Sequence, residues 1–203
     1  MKRHNRSSIG LDIGSRFIKL AELKSSGDNI TLTKFAIKEI PKDLKIDRDK
    51  VVSHLISQLL SENNIKSRDV NICAAGQSVF VRFVKLLQVK EDKLKQTMKF
   101  EAQNQIPFPL NEVAWDWSLL DTGAKGSRKA VIAAIKKNLV DEMVHKLKAV
   151  KLSTGLIDIS PLSLYNCMAF NEDYNEQALG AIMDIGYKAV SYTHLTLPTK
   201  RIV

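Results

Sequence analysis

The predicted fold starts from the stretch Ile9-Gly-Leu-Asp-Ile-Gly-Ser-Arg-Phe-Ile-Lys-Leu20, near the beginning of the chain. Residues 9–13 are typical of a buried strand, and the Gly-Ser-Arg that follows is typical of a tight turn. Residues 17–23 alternate between apolar and polar, which predicts a strand that returns antiparallel to the first. Alternation resumes over residues 30–40, after a turn-forming segment. The chain is therefore predicted to open with three successive antiparallel strands.

The turn after the first strand has a composition that suits phosphate binding. Asp12 ends this strand, and the pattern of an apolar residue followed by Asp-Ile-Gly returns in Ala181-Ile-Met-Asp-Ile-Gly186. Glycine lets the backbone approach a ligand closely, and successive N–H groups in such a turn can point at phosphate oxygens. An aspartate at the strand end can hold a hydrated Mg2+, because this ion keeps several of its waters.

A single Asp-x-Gly turn is common in β-hairpins, so the functional prediction depends on the pair. Two such turns predict a site that clamps a magnesium triphosphate from opposite sides, and a lysine on the return strand adds positive charge. The phosphate-loop pattern GxxxxGK[ST] is absent from the sequence. The predicted binding residues are Asp12, Gly14, Ser15, Lys19, Asp184 and Gly186, of which Asp12 and Asp184 would hold the metal ion through water.

Composition excludes several classes of protein. Of the 203 residues, 44% are hydrophobic and 26% are charged, and the formal net charge is +9. These values are ordinary for a globular domain and argue against disorder, collagen and a long coiled coil. No stretch reaches the roughly 18 apolar residues of a membrane-spanning helix. Aromatic residues make up 6% and do not interleave with basic clusters, so no nucleic-acid partner is predicted.

Other candidate sites have ordinary structural interpretations. Cys73 and Cys167 lie in apolar stretches and are predicted to be packed thiols of a reduced cytosolic protein. The four His residues show no ligand spacing, which argues against a zinc site. The lysines over residues 85–99 are interpreted as a solvated helix face, with a partner-binding or membrane-facing surface as the alternative. Trp115 and Trp117 share one strand face, and together with Phe108 they predict either an interface or the core of a small sheet subdomain.

The rest of the chain alternates between strand and helix patterns. Helices are predicted where apolar residues recur at helical spacing or where Pro can open the first turn, and strands where they alternate or form short buried runs. The predicted helices are residues 49–63, 91–104, 138–150 and 160–169. The predicted strands are residues 69–75, 79–87, 112–121, 129–135, 156–159 and 177–185.

The end of the sequence differs in texture from the rest. Residues 189–199 resemble the translation of a transposase adapter used in DNA library preparation, and no strong helix or strand periodicity continues there. Residues 189–203 are therefore interpreted as a non-native tail, with a genuine terminal strand as the alternative. This interpretation predicts that the natural sequence runs to about Lys188 here and that the protein is truncated.

Two segments carry a resemblance to known proteins. The stretch from Ile9 to Leu20 resembles the first phosphate motif of actin-like ATPases. Phe100-Glu-Ala-Gln-Asn-Gln-Ile-Pro-Phe-Pro109 resembles the E-A-x-x-x-I-P-F segment of the PilM family of type IV pilus assembly proteins, which are related to the cell-division protein FtsA. The strand Trp115-Asp-Trp117 that follows also fits this family, and the resemblance covers residues 7–188.

The resemblance implies an α/β chain with the actin-like (ribonuclease H-like) ATPase fold, an inserted FtsA/PilM-type subdomain and a truncated second domain. Residues 7–80 plus 152–170 would form the first nucleotide-side subdomain. Residues 81–151 would form the inserted β-α-β-β-α subdomain, and residues 171–188 would begin the second domain.

The function implied by the resemblance is that of an ATP- and Mg2+-binding scaffold. It would be cytoplasmic and peripheral at the inner membrane, reaching the membrane only through its partner. It would bind the N-terminal peptide of a PilN-type protein in a groove between the first subdomain and the insertion, and would connect the pilus alignment complex to the assembly motor. A homo-oligomer is possible under this interpretation.

Catalysis is less well supported than binding. Ser160-Pro161 stands where many actin-like ATPases have an acidic or amide residue before Pro, and serine activates water poorly. ATP hydrolysis is therefore expected to be weak or absent, and no catalytic residue is assigned. The alternatives are an FtsA-like membrane-tethering protein of cell division and a sugar- or acetate-type kinase of the same superfamily, although no convincing catalytic base for a kinase is found.

Overall fold

In the computed structural model, the chain forms two compact units. The first consists of Met1–Cys73, Glu142–Asp158 and Ile185–Ala189, and the second of Ala74–Asp141, Ile159–Asp184 and Val190–Val203. The structure describes residues 6–27, 29–42, 47–74, 79–87, 89–120, 127–171, 180–187 and 190–195.

The described residues contain ten strands and four α-helices. The strands are β1 (Arg6–Ile13), β2 (Phe17–Ser26), β3 (Asn29–Glu39), β4 (Asp69–Ala74), β5 (Val79–Leu87), β6 (Val113–Leu120), β7 (Ser127–Lys136), β8 (Ser153–Ile159), β9 (Gly180–Ile185) and β10 (Val190–Leu195). The helices are α1 (Arg48–Glu62), α2 (Glu91–Gln105), α3 (Lys137–Ala149) and α4 (Ser160–Asn171), and a short 3-10 helix spans Leu110–Glu112.

A five-stranded mixed sheet organises the first unit, in the strand order β3-β2-β1-β4-β8. β2 pairs antiparallel with both β1 and β3, and β1 pairs parallel with β4. Along β1 and β2, buried side chains that are mostly apolar alternate with more exposed ones, so one face of the sheet is mainly apolar. Helix α1 packs its apolar stripe against this face. The inward residues, each at most 4% exposed, include Ile9, Leu11, Ile18, Leu20, Val52, Ile56, Leu59 and Leu60.

The second unit contains a three-stranded antiparallel sheet in the order β5-β7-β6. Helix α2 packs on one face of it through Leu94, Met98 and Ala102. Ala130 and Ala134 on the central strand β7 are at most 4% exposed, and their small side chains let the helix lie close to the sheet. The same unit contains α4, and a separate two-stranded sheet pairs β9 with β10.

Most predicted elements are confirmed by the structure. The three opening strands form with the predicted antiparallel pairing, and the predicted strand over residues 79–87 has the same bounds as β5. The lysines over residues 85–99 are exposed, as a solvated face requires. Trp115 and Trp117 are half-buried and pack against the core of the second unit. The connection between the predicted strands over residues 112–121 and 129–135 falls almost wholly outside the described residues.

One expectation differs from the structure. Cys167 was expected to be a packed thiol, and this is wrong because Cys167 is exposed on α4. It lies two positions after Tyr165, the buried residue of that helix, and therefore points about 200° away from it around the helix axis. Val190–Leu195 forms a strand, within the stretch interpreted as a non-native tail for which a terminal strand is the alternative.

Candidate functional site

The tip of the β1–β2 hairpin is a tight turn that only glycine fits at its first position. The Gly14 N–H donates a hydrogen bond to the Phe17 carbonyl at 2.9 Å, which closes the turn. A Cβ atom built on Gly14 would lie 2.9 Å from that same carbonyl oxygen, a distance at which the backbone has to move. The turn therefore depends on close approach of two backbone segments, whereas the sequence predicted that this glycine lets the backbone approach a ligand.

Two arginines fix this tip from neighbouring elements. The Arg48 guanidinium, on the first residue of α1, donates to the Gly14 carbonyl at 2.9 Å. The Arg16 guanidinium donates to the Ile40 carbonyl at 2.7 Å and forms an ion pair with Glu39 at the end of β3. The Ile40 N–H in turn donates to the Arg16 carbonyl at 2.7 Å. These bonds hold the turn against both α1 and β3.

The Gly14 N–H, the backbone group of this residue that could donate to a phosphate, is already bonded to the Phe17 carbonyl. Among the described residues, no acceptor is found for the N–H groups of Ser15 and Arg16. These two N–H groups are the backbone donors that the turn leaves for an anion. Gly14 therefore shapes the turn, and phosphate binding by Gly14 and Ser15 stays a prediction.

Asp12 and Lys19 face each other across the hairpin. They are directly paired in the antiparallel register, and the Lys19 Nζ lies 3.0 Å from the Asp12 Oδ2. Their side chains are 49% and 50% exposed. An accessible carboxylate beside an accessible ammonium group fits water-mediated contact with Mg2+ on one side and contact with a phosphate on the other.

The second predicted turn lies at the end of β9, where Asp184 and Gly186 are both exposed. The residue after it, Tyr187, lies in the first unit, with its ring centroid 5.8 Å from the Arg16 Cζ. The Lys42 Nζ is 6.0 Å from the same ring. Asp12 belongs to the first unit and Asp184 to the second, so their meeting at one cleft stays a prediction.

Ser160 has a structural partner. Its hydroxyl donates to the Ala74 carbonyl at 3.2 Å, which joins the first residue of α4 to the last residue of β4. Groups of three or more His, Cys, Asp or Glu side chains that could hold a metal directly are not found in the part of the chain that the structure describes. A metal ion at the predicted site would therefore depend on water and ligand oxygens for most of its coordination.

Glu22 is a buried carboxylate of the first unit with a structural role. It is 7% exposed, and it accepts hydrogen bonds from the Thr33 hydroxyl at 2.9 Å and the Ser7 hydroxyl at 3.1 Å. The bond from Thr33 is the largest cause that holds the pKa of Glu22 below its ordinary value, and burial opposes this effect. The Lys34 Nζ, 3.7 Å away, lowers the pKa further.

An apolar pocket of about 190 Å3 lies at one end of the sheet in the second unit. The Lys136 Nζ lies 4.3 Å from the centroid of the Phe108 ring, which places a cation at an otherwise apolar lining. The pocket includes Pro107 and Phe108 of the segment singled out in the sequence, and its other residues come from separate strands. Its lining includes Phe80, Pro107, Phe108, Val113, Ile135 and Lys136.

Comparison with known families identifies the chain. The sequence profile of the family described as type IV pilus assembly protein PilM matches residues 10–197. The chain belongs to the PilM family. This confirms the resemblance drawn from the sequence, and the match continues past Lys188 into the segment interpreted as a tail. The origin of that segment stays a prediction.

Solved structures agree on the fold of this PilM-family chain. It is similar to a chain of a "PilM-PilN type IV pilus biogenesis complex", with a TM-score of 0.76 and 22% identity. The match covers 98% of this chain and 62% of the chain in that complex. It is also similar to the cytoplasmic domain of EpsL, an inner-membrane component of the type II secretion system of Vibrio cholerae, with a TM-score of 0.55 and 11% identity over 96% of this chain and 70% of that one.

The predicted α/β class with the actin-like ATPase fold is therefore confirmed. The chain spans less than two thirds of the PilM chain that it matches. Among the described residues, no helix combines the length and the apolar character needed to cross a membrane.

Proposed function

We propose that this chain is a nucleotide-binding scaffold of type IV pilus assembly. It would act on the cytoplasmic side of the inner membrane and reach that membrane through a PilN-type partner. It would also connect the pilus alignment complex to the assembly motor. The observation that carries the proposal is the PilM family match over residues 10–197. That membership favours a pilus scaffold over the FtsA-like and kinase alternatives.

The nucleotide part of the proposal rests on the hairpin tip. ATP with Mg2+ would supply the negative charge that the two turns recognise. Asp12 and Asp184 would hold the hydrated ion, while Lys19 and the N–H of Ser15 would contact phosphate oxygens. The contact between Arg16 and Tyr187 supports this proposal, because it joins the first turn to the residue that follows Gly186.

Titration with a fluorescent ATP analogue in the presence of Mg2+ tests the nucleotide site. Asp12→Ala should weaken binding at least about tenfold, which corresponds to about 1.4 kcal/mol. Asp141→Ala is the matched control, because it removes an exposed aspartate from α3, and its affinity should equal that of the unaltered chain. Equal affinities for both variants, or no binding by the unaltered chain, would refute the nucleotide site.

Hydrolysis is proposed to be weak or absent. The Ser160 hydroxyl is engaged with the Ala74 carbonyl and is a poor general base in any case. Phosphate release measured with saturating ATP should therefore stay near the rate of the buffer. A turnover that Ser160→Ala abolishes would contradict this expectation.

The partner part of the proposal rests on the apolar pocket of the second unit. A PilN-type peptide would place an apolar side chain beside Phe108, because a pocket of about 190 Å3 accommodates one such group. The similarity to a chain of a PilM-PilN type IV pilus biogenesis complex supports a partner of this type. The groove between the first subdomain and the insertion is the proposed path for the rest of the peptide.

Binding of the synthetic N-terminal cytoplasmic peptide of a PilN-type protein tests this site. Phe108→Ala should reduce the affinity about tenfold or more, since it removes a large part of the lining. Phe83→Ala is the matched control, because Phe83 is 65% exposed and does not line the pocket. A loss of affinity that is equal for the two variants would place the peptide elsewhere.

A further inference from the structure

A second pocket, of about 260 Å3, lies wholly within the first unit at the place where two helices end. It is lined by residues of α1, of the segment after α1, and of the segment after α3. Leu60, Ile65 and Val150 supply apolar walls, and Arg68 and Lys151 lie at its lining as exposed cations. Neither the nucleotide site nor the peptide site proposed above uses these residues.

Both helices end in the same motif beside this pocket. After α1, Asn64 has φ 50°, and the Ile65 N–H donates to the Leu60 carbonyl at 2.9 Å. After α3, Lys151 has φ 59°, and the Leu152 N–H donates to the Leu147 carbonyl at 2.9 Å. Left-handed backbone of this kind is usual for Gly or Asn and costly for other residues. The chain therefore keeps a lysine at a position where glycine would be more favourable.

The surroundings of the pocket carry more positive charge than the helix ends require. Residues 63–68 and 146–151 contain Lys66, Arg68, Lys146, Lys148 and Lys151 and no carboxylate. Two helix C-termini together present about one negative elementary charge. Lys146 is paired with Asp49 at 3.1 Å, and in the described part of the chain no ion pair joins the other four cations to a carboxylate.

The acidic groups nearest in sequence offset only part of this surplus. Glu62 forms an ion pair with Lys38 at 2.7 Å, and Asp69, which accepts a hydrogen bond from the neutral Ser153 hydroxyl, offsets one cation. The rim of the pocket is therefore complementary to an anionic ligand.

The shape of the pocket selects one kind of anionic partner. Its apolar residues are recessed, since none of them is among the large hydrophobic side chains exposed on the surface. A membrane-binding surface needs apolar groups that protrude, whereas a recessed pocket receives a side chain from a partner. We propose that this pocket docks an acidic peptide segment of a partner protein, which inserts one apolar side chain and places its carboxylates on Arg68 and Lys151.

An array of immobilised ten-residue peptides, probed with the full chain, tests the proposal. Each peptide places Leu, Phe or Gly at the centre of an acidic, a neutral or a basic sequence. Binding should be limited to acidic peptides with a central Leu or Phe, and it should weaken as the salt concentration rises. Binding that is equal for central Gly and Leu would show charge attraction alone and would overturn the proposal.

Matched variants then locate the site. Arg68→Glu combined with Lys151→Glu should reduce the affinity for the best acidic peptide at least about tenfold. Lys93→Glu combined with Lys95→Glu makes the same change in net charge on α2 of the second unit and should leave most of the affinity intact. Equal losses for the two double variants would overturn the proposal.

Lys151→Gly separates binding from folding. Because glycine suits the left-handed backbone at this position, the thermal unfolding midpoint of the variant should be unchanged or higher. Its affinity for the acidic peptide should nevertheless fall several-fold, since it loses one of the two rim cations. Unchanged affinity in this folded variant, or equal binding of inorganic phosphate or anionic vesicles in competition with the peptide, would contradict peptide docking.

Discussion

The two units differ in the chemistry of the side chains at the end of their sheets. At the tip of the β1–β2 hairpin in the first unit, nearly every contact is polar: Arg48 binds the Gly14 carbonyl, and Lys19 pairs with Asp12. At the end of the sheet in the second unit, the lining is apolar and contains Phe108, with one cation against its ring. The first arrangement suits a charged ligand, and the second suits an apolar side chain.

The difference shows that the two units offer surfaces of different chemistry. Polar recognition needs backbone and side chains fixed to within a few tenths of an ångström, and the arginine contacts at the hairpin tip supply that fixation. Apolar recognition tolerates more adjustment but needs a stable wall. The strand ends and residues 107–108 form this wall, and α2 supports it by packing on the same three-stranded sheet. Variants that separately disturb the wall, the turn or the charges test this difference between the two units.

The largest expected effect concerns the wall. Met98 is 0% exposed between α2 and the sheet of the second unit, so Met98→Ala leaves a cavity and should cost about 2–5 kcal/mol of unfolding free energy. Urea denaturation measures this loss. Lys99→Ala, the exposed neighbour, should change stability by less than about 0.5 kcal/mol. A cost below about 1 kcal/mol for Met98→Ala would mean that α2 does not support the pocket.

The next effect concerns the turn. Gly14→Ala forces a Cβ to within 2.9 Å of the Phe17 carbonyl oxygen and should cost about 1–3 kcal/mol. Gly10→Ala is a close control on β1, the strand that precedes the turn, because nothing lies within 4 Å of its added Cβ. This control should be neutral, or stabilising by up to about 1 kcal/mol. Equal unfolding free energies for the two variants in urea would show that the tip is not tightly constrained.

Local patterns in the sequence predicted the elements of both units. Alternation over residues 17–23 and 30–40 was sufficient for β2 and β3, because one buried face and one exposed face impose a period of two. The same strand register places the glycine at the turn of the hairpin and Asp12 opposite Lys19. The segment around Ile-Pro-Phe was correctly singled out, although the sequence could not show that it lines a pocket.

Contacts between distant segments were not predictable. Arg48 reaches the Gly14 carbonyl across 34 positions, and a local pattern carries no signal for such a bond. Glu22 is buried at a β-bulge between β2 and β3, and it depends on hydroxyl groups 15 and 11 positions away. The basic pocket between the helix ends was not predictable from local patterns, because its cations belong to two segments that meet only in the folded chain.

A smaller effect concerns Glu22, the buried carboxylate on β2. The folded pKa of Glu22 lies below its ordinary value of 4.5, so the folded state binds fewer protons than the unfolded state. Its contribution is therefore present above about pH 4.5 and is lost as the pH falls through the folded pKa. Glu22→Gln should cost about 1 kcal/mol at pH 7 and less at pH 3.

Urea denaturation at the two pH values measures the Glu22 effect. Glu142→Gln serves as the control, because this exposed residue of α3 should change stability by less than about 0.5 kcal/mol at pH 7. A cost for Glu22→Gln that is larger at pH 3 than at pH 7 would contradict the lowered pKa.

The smallest expected effect separates stability from binding at the hairpin tip. Asp12 and Lys19 are about half exposed, and an exposed ion pair is worth at most about 0.5 kcal/mol after solvent screening. A double-mutant cycle with Asp12→Asn and Lys19→Met should therefore give a coupling energy in that range by urea denaturation. The same variants should lose affinity for the magnesium–ATP analogue, because a pair kept at little benefit to folding remains available to a ligand. A coupling energy above about 2 kcal/mol would instead show that the pair mainly stabilises the fold, and it would contradict a ligand site at Asp12 and Lys19.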